Sequence, residues 1–218
     1  MIQIETSISE FKIDVDLKCI GMQMSGGADS TLVAYLTASA ISKNNLKTKL
    51  KRLTFGFGNK PDYFKKAEQL QNEITKLIGK DVWCDPYTVF YPHKKDHSTL
   101  AELTYLFNNN LIDFTINGRT RNPPITELPD LTNSRVIERD NPIPNLDKTA
   151  IIEPFYNITK DVIIQEYYNL GIEDLLFKTC SCDTDIAPNL IFPCNKCWWC
   201  RERAWAFNKI GKTDVSTS

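Results

Sequence analysis

The chain has 218 residues, and its content of 42% hydrophobic and 24% charged residues is typical of a globular protein. The formal net charge of −1 excludes an overall basic field, so stable nucleic-acid binding is not expected without a local basic patch. No apolar run reaches the length of a membrane span, and the first residues lack the charged and apolar regions of a signal peptide. We therefore expect a cytoplasmic protein with no membrane partner and one main core.

Predicted strands and helices alternate along the chain. Residues 1–16 alternate apolar and polar positions and predict an edge hairpin or strand. Further strands are predicted at residues 17–24, 50–58, within 81–90, 111–116 and 151–155, with helical apolar periodicity between most of them. This alternation predicts an α/β fold with a doubly wound, mostly parallel sheet, in which ligands bind beyond the carboxyl ends of the strands.

Residues 25–30, Ser-Gly-Gly-Ala-Asp-Ser, join the first buried strand to the first helix. Gly26 and Gly27 allow a sharp turn and a close approach to a ligand, and the first amides of the helix suit an anion. The hydroxyls of Ser25 and Ser30 add donors. Asp29 fits such a site if a divalent cation accompanies the phosphates or if its carboxylate caps the helix. The ordered string favours a nucleotide site over the alternative, a capped turn that binds nothing.

Three more residues are predicted near this ligand because they follow strands. Phe55 lies at the end of the second strand of the nucleotide core, and Gly118 and Arg119 follow the fourth. An arginine there can form forked hydrogen bonds to a phosphate or carboxylate, and Arg121 is a second candidate. A plain strand end and a solvated loop are the alternatives. Residues 122–149, rich in proline and charge, predict a substrate loop or lid.

Five of the seven cysteines fall between Cys180 and Cys200, which in a reducing compartment indicates metal binding rather than disulfides. The spacing C-x11-C-x2-C-x2-C predicts a closed shell of four thiolates, which is typical of structural zinc. An iron–sulfur cluster is the alternative. Cys180 is left outside this shell. The predicted metal ligands are Cys182, Cys194, Cys197 and Cys200.

The string at residues 25–30 matches the phosphate-binding signature of the PP-loop ATP pyrophosphatases at every fixed position, and the chain resembles that superfamily. It lacks the Gly-Lys-Ser/Thr of a Walker A motif and the third glycine of a dinucleotide fingerprint. The resemblance implies an adenine nucleotide alpha hydrolase-like fold that binds ATP with Mg²⁺ and cleaves it between the α- and β-phosphates. The residues expected to bind the nucleotide are Met24, Ser25, Gly26, Gly27, Asp29, Ser30, Phe55, Gly118 and Arg119.

The second half of the chain is similar to the 7-cyano-7-deazaguanine synthases, the QueC-type enzymes of queuosine biosynthesis. The resemblance lies in residues 153–163, Glu-Pro-Phe-Tyr-Asn-Ile-Thr-Lys-Asp-Val-Ile, and in the cysteine-bearing segments 179–182 and 194–203. It implies a C–N ligase that adenylates 7-carboxy-7-deazaguanine and uses ammonia to form an amide, which a second activation converts to a nitrile.

The same resemblance implies roles and an organisation. Lys160, with Asp29 and Ser30, is the expected catalytic set, and Lys160 is the candidate for stabilising the departing pyrophosphate; a solvated surface lysine is the alternative. Residues 1–178 would form the nucleotide-binding domain, and residues 179–218 a zinc knuckle and helix packed on it. We also expect a homodimer.

Two segments depart from the QueC pattern. The family usually carries an Arg-Asn pair where this chain has residues 91–95, Tyr-Pro-His-Lys-Lys, and residues 122–130 replace a Tyr-Pro-Asp-Cys-Arg-like element. Because those elements help to hold the deazaguanine, a QueC-like enzyme adenylating a different carboxylate or partner, in defence or nucleic-acid modification, is the alternative. A non-catalytic nucleotide- or RNA-binding module is the alternative from another class. The intact phosphate loop favours an enzyme.

Overall fold

The structure is a computed structural model and describes residues 2–5, 10–13, 17–57, 62–91, 98–129, 151–182 and 193–215. The predicted N-terminal hairpin is confirmed. Strands β1 (Ile2–Glu5) and β2 (Glu10–Ile13) pair antiparallel as a separate two-stranded sheet. Residues 130–149 of the predicted substrate loop lie outside the described part of the chain.

The predicted parallel sheet is confirmed and has five strands. They are β3 (Cys19–Gln23), β4 (Lys49–Phe57), β5 (Trp83–Tyr91), β6 (Phe114–Ile116) and β7 (Ile151–Ile152). Their spatial order is β5-β4-β3-β6-β7, and every pair is parallel. The chain therefore moves outward from β3 to β5, then crosses back to β6 on the other side of β3. This reversal places the topological switch point between β3 and β6, where ligands bind in such sheets.

Strands β3, β6 and β7 are each shorter than predicted, and at β6 and β7 the reasons are local. The carboxylate of Asp113 accepts the backbone N–H groups of Lys18 and Cys19, at 2.7 and 2.8 Å, so β6 begins only at Phe114. Strand β7 ends at Ile152 because residues 153–156 form a turn, closed by the bond from the Tyr156 N–H to the Glu153 carbonyl, and Pro154 lacks a ladder donor.

The register between β4 and β5 shifts near Pro86. Lys51 pairs with Cys84 and Leu53 with Tyr87, so two residues of β5 face one of β4. A proline is tolerated there because β5 is an edge strand with a bulge.

Helices cover both faces of the sheet. On one face, apolar side chains of five helices share a buried core with Ile20, Met22 and Leu50. These helices are α1 (Ala28–Lys43), α2 (Asp62–Ile78), α4 (Lys160–Asn169), α5 (Glu173–Phe177) and α6 (Trp198–Lys209). On the other face, Leu103 and Leu106 of α3 (Thr99–Asn108) pack with Leu53 of β4. None of the described helices is long and apolar enough to cross a lipid bilayer.

The C-terminal helix belongs to the main core. Ala206 and Phe207 of α6 are buried in the same cluster as α1 and α4. The division into a nucleotide-binding domain, residues 1–178, and a knuckle with its helix, residues 179–218, stays a prediction.

Candidate functional site

The phosphate loop leaves β3 at its carboxyl end and enters α1 at the switch point. Gly26 has φ of 87°, a left-handed conformation that favours glycine, and Gly27 is the N-cap residue of α1. The hydroxyls of Ser25 and Ser30 lie 3.2 Å apart, and the Ser30 hydroxyl donates to the Gly27 carbonyl at 3.1 Å. The loop thus gathers two hydroxyls around the positive end of a 16-residue helix.

Gly118 brings the loop after β6 against the phosphate loop. A Cβ atom at this position would lie 2.6 Å from the carbonyl carbon and oxygen of Asp29 and 2.7 Å from the Ser30 nitrogen. No side chain fits there, because contacts below 3.0 Å with rigid backbone cannot relax cheaply. The structure therefore brings together Gly118 and residues 25–30, as the sequence predicts.

Lys160 lies beside the phosphate loop, at the first position of α4. Its side chain is 2% exposed, and its ammonium pairs with Asp29 Oδ2 at 3.0 Å and with Glu202 Oε2 of α6 at 2.8 Å. The other oxygen of Asp29, Oδ1, is buried and has no hydrogen-bond partner among the described residues. The three groups carry a net charge of −1 when all are ionised, so this cluster can accept a cation at Asp29.

The first turn of α1 is also fixed by a buried phenol. The Tyr167 hydroxyl of α4 donates to the Ala28 carbonyl at 2.7 Å. Burial raises the pKa of Tyr167 well above its usual value, and the negative charge of Asp29 raises it further. The phenol therefore remains a donor at any physiological pH.

Residues 178–182 also contact the loop, which sequence reasoning did not predict. They connect α5 to the cysteine cluster, and the Cys180 N–H donates to the Gly26 carbonyl at 2.9 Å. The Ser181 hydroxyl is buried, has no hydrogen-bond partner among the described residues and lies 3.6 Å from where a Cβ on Gly27 would be. Lys66 of α2 packs its stem on Gly26, with its Cγ 2.8 Å from a Cβ placed there.

No motif marked Lys66, Ser181 or Glu202 as site residues. Ser181 lies between two cysteines in a segment that was considered for its metal ligands, and Lys66 is one of three lysines on an amphipathic helix. Their positions are revealed by the contacts of α2 and residues 178–182 with the loop and by the contact of α6 with Lys160.

The four predicted metal ligands converge at the start of α6. The sulfur atoms of Cys182, Cys194, Cys197 and Cys200 all lie within 4.8 Å of one another. Three of the separations are 3.5, 3.9 and 4.0 Å. Zn–S bonds of about 2.3 Å in a tetrahedron require sulfur separations of about 3.8 Å, so the donor set fits one such ion. The set leaves out Cys180, as predicted.

The remaining predicted residues lie at the same edge of the sheet, and their contacts described below are with groups other than the phosphate loop. Arg119 pairs with Glu153 at 3.7 Å and lies 5.6 Å from the ring of Tyr156. Burial raises the pKa of Glu153, and the charge of Arg119 opposes that shift. Phe55 packs beside the cluster formed with α3, on the face away from α1. Arg121 is exposed. The nucleotide-binding roles of Phe55 and Arg119 stay predictions.

No family model matches the sequence, and no curated protein matches it. Among solved structures, the U34-tRNA thiolase NcsA from Methanococcus maripaludis, determined with its 4Fe–4S cluster, is similar with a TM-score of 0.51 and 13% identity. The match covers 91% of this chain and 68% of that chain. A universal stress protein in complex with cAMP matches with a TM-score of 0.41 and 14% identity, over 65% of this chain and 98% of that one. The likeness shows that this chain shares the α/β fold of that thiolase.

Proposed function

We propose that the chain is an ATP-dependent ligase of the ATP pyrophosphatase type that adenylates a carboxylate. The observation that carries the proposal is the phosphate loop at the switch point of the sheet. Its glycine backbone, its two serine hydroxyls and the helix end offer donors to phosphate, while the buried Asp29 Oδ1 offers a free ligand atom to a cation.

In the proposed reaction, a carboxylate oxygen of the acceptor attacks the α-phosphorus of ATP. The bond from that phosphorus to the oxygen bridging the β-phosphate breaks, and pyrophosphate leaves with the electron pair. Donors from Ser25, Ser30 and the α1 amides stabilise the charge that develops on the phosphate oxygens. Mg²⁺ would neutralise polyphosphate charge, and Asp29 Oδ1 is the atom that would hold it. Lys160 fixes the other oxygen of Asp29 and so orients that ligand.

The acceptor that we propose is 7-carboxy-7-deazaguanine, and the support is the resemblance of residues 153–163, 179–182 and 194–203 to the QueC-type enzymes. Ammonia attacks the acyl carbon, AMP leaves, and an amide forms. A second ATP then activates the amide oxygen, and loss of AMP and a proton gives the nitrile. We assign the acceptor carboxylate to Arg119, whose guanidinium lies past β6 next to Glu153 and Tyr156.

We further propose that the four cysteines bind one structural Zn²⁺. In a 4Fe–4S cluster each thiolate binds a different iron, so the sulfurs stand further apart than sulfurs on a single ion. The separations of 3.5 to 4.0 Å favour the single ion. Elemental analysis should find about one zinc and no iron per chain, and Cys197→Ser should lower the melting temperature more than Cys180→Ser. A brown protein containing iron and sulfide would contradict this assignment.

The proposed reaction is tested by pyrophosphate release with ATP, Mg²⁺, ammonium and 7-carboxy-7-deazaguanine. We expect turnover, with the amide and then the nitrile detected by mass spectrometry. Ser25→Ala and Asp29→Ala should abolish it, whereas Ser42→Ala, in the last turn of α1, should not. If pyrophosphate were released with another carboxylate but not with 7-carboxy-7-deazaguanine, the proposed acceptor would be wrong and the proposed reaction type would stand. ATP binding without release for any carboxylate would support a non-catalytic module instead.

A further inference from the structure

Two lysines lie beside the phosphate loop, and their electrostatic environments differ. In the first environment, Lys160 is shared by the carboxylates of Asp29 and Glu202, so its charge is already neutralised. In the second environment, Lys66 and Ser181 lie against the loop at Gly26 and Gly27. The polyphosphate of ATP carries several negative charges and needs cationic charge that the protein has not already neutralised.

Lys66 meets this need by its contacts. Its ammonium donates to two neutral oxygens, the Lys178 carbonyl at 3.2 Å and the Gln69 side-chain oxygen at 3.4 Å. Neither partner is a carboxylate, and an ammonium has three donors. Within the part of the chain that the structure describes, one donor and the positive charge therefore remain for a ligand. The stem lies against Gly26, so the ammonium cannot move far from the loop.

Ser181 provides the second contact. Its hydroxyl is buried and has no hydrogen-bond partner among the described residues, which is unusual for a buried polar group and indicates a missing ligand. It points at the Gly27 end of the loop, as does the Ser25 hydroxyl, at 3.6 and 3.5 Å from the position of a Cβ on Gly27. The absence of a Cβ there leaves room for a phosphate oxygen between the two hydroxyls.

We infer that Lys66 and Ser181 bind the β- and γ-phosphates of ATP and hold the pyrophosphate as it leaves. This inference rests on the proposed function and adds to it the protein groups that receive the leaving group. It also places the polyphosphate between α2 and residues 178–182. Because Ser181 adjoins the metal ligand Cys182, order in the cysteine cluster would help to set the phosphate site.

The test compares nucleotides with and without the two terminal phosphates. Titration calorimetry should show that Lys66→Met weakens ATP about tenfold or more and Ser181→Ala about fivefold. Neither change should alter AMP affinity, because AMP lacks the phosphates concerned. Inorganic pyrophosphate should lose affinity in parallel with ATP. Methionine keeps the stem that packs on Gly26, and Lys66→Arg, which keeps the charge, should restore most of the ATP affinity.

Lys76→Met is the matched control, because Lys76 lies on the same helix with 72% of its side chain exposed. Equal ATP affinity in Lys66→Met and Lys76→Met would overturn the inference while leaving the proposed function intact. An equal loss of ATP and AMP would also overturn it, since it would indicate a general disturbance of the loop. A wild-type protein that binds neither ATP nor pyrophosphate would overturn both proposals together.

Discussion

The two lysines beside the phosphate loop differ in what surrounds them. Lys160 is almost fully buried between two carboxylates, whereas the hydrogen-bond partners of Lys66 in the described ranges are two neutral oxygens. We call the first environment the Lys160 side (Gly118, Asp29, Lys160 and Glu202) and the second the Lys66 side (Lys66, Glu73, Lys178 and Ser181). Both lysines lie close to the loop. What distinguishes them is the charge of the groups around each ammonium, and this charge decides which lysine can stabilise a leaving pyrophosphate. The Lys160 side holds the site together, and the Lys66 side is arranged to receive an anion.

The largest expected effect is on the Lys160 side. Lys160→Met would leave Asp29 and Glu202 as buried carboxylates without their cation, so we expect the free energy of unfolding to fall by about 3–5 kcal/mol. Lys66→Met should change it by less than about 0.5 kcal/mol, as for other surface substitutions. Urea unfolding at pH 7 measures both.

The paired variant Lys160→Met/Glu202→Gln provides the control, because it removes one of the two orphaned charges and should recover part of the loss. If Lys160→Met were as stable as the wild type while pyrophosphate affinity collapsed, the assignment of the two sides would be reversed.

The next largest effect is expected at two glycines, where substitution of one should lower stability and substitution of the other should lower ATP affinity. A Cβ on Gly118 would meet the Asp29 backbone at 2.6 Å, so Gly118→Ala should destabilise the fold by about 1–3 kcal/mol and disturb the loop. A Cβ on Gly27 would make only ordinary contacts, at 3.5 and 3.6 Å from the hydroxyls of Ser25 and Ser181. Gly27→Ala should therefore keep the melting temperature and lose ATP affinity, because the methyl group fills the space assigned to phosphate. A melting temperature that falls equally in both variants would contradict this distinction.

Much of the Lys160 side was predictable from sequence, whereas the Lys66 side was not. The string at residues 25–30 and the position of Gly118 after a strand are local features, and the alternation of strands and helices predicts the edge at which they meet. The four cysteines are likewise marked by their spacing. Lys66 and Ser181 carry no such local signal, since their roles depend on how α2 and residues 178–182 pack against Gly26 and Gly27. The charge balance at Lys160 was also hidden, because Glu202 reaches it from a helix 42 positions later in the chain.

The smallest expected effect concerns the ion pair that holds the Lys66 side together. Glu73 of α2 binds Lys178 at 2.8 Å and Lys76 at 2.9 Å, and these two ammonium groups lower the pKa of its carboxyl below the usual 4.5. A lowered folded-state pKa means that the ion pair stabilises the fold above the usual pKa. That stabilisation is lost as the pH falls from about 4.5 through the folded-state pKa.

Because both lysines are substantially exposed, the contribution at pH 7 should be only about 0–1 kcal/mol. Glu73→Gln should thus be slightly less stable than the wild type at pH 7, and the difference in urea midpoint should close near pH 3. Lys76→Met keeps the contact to Lys178 and should retain most of the pH-dependent difference from Glu73→Gln. A Glu73→Gln difference that stayed constant between pH 7 and pH 3 would show that ionisation of Glu73 does not hold residue 178 to α2. ATP affinity measured in the same variants should fall slightly with Glu73→Gln, since residues 178–182 carry Ser181 to the loop.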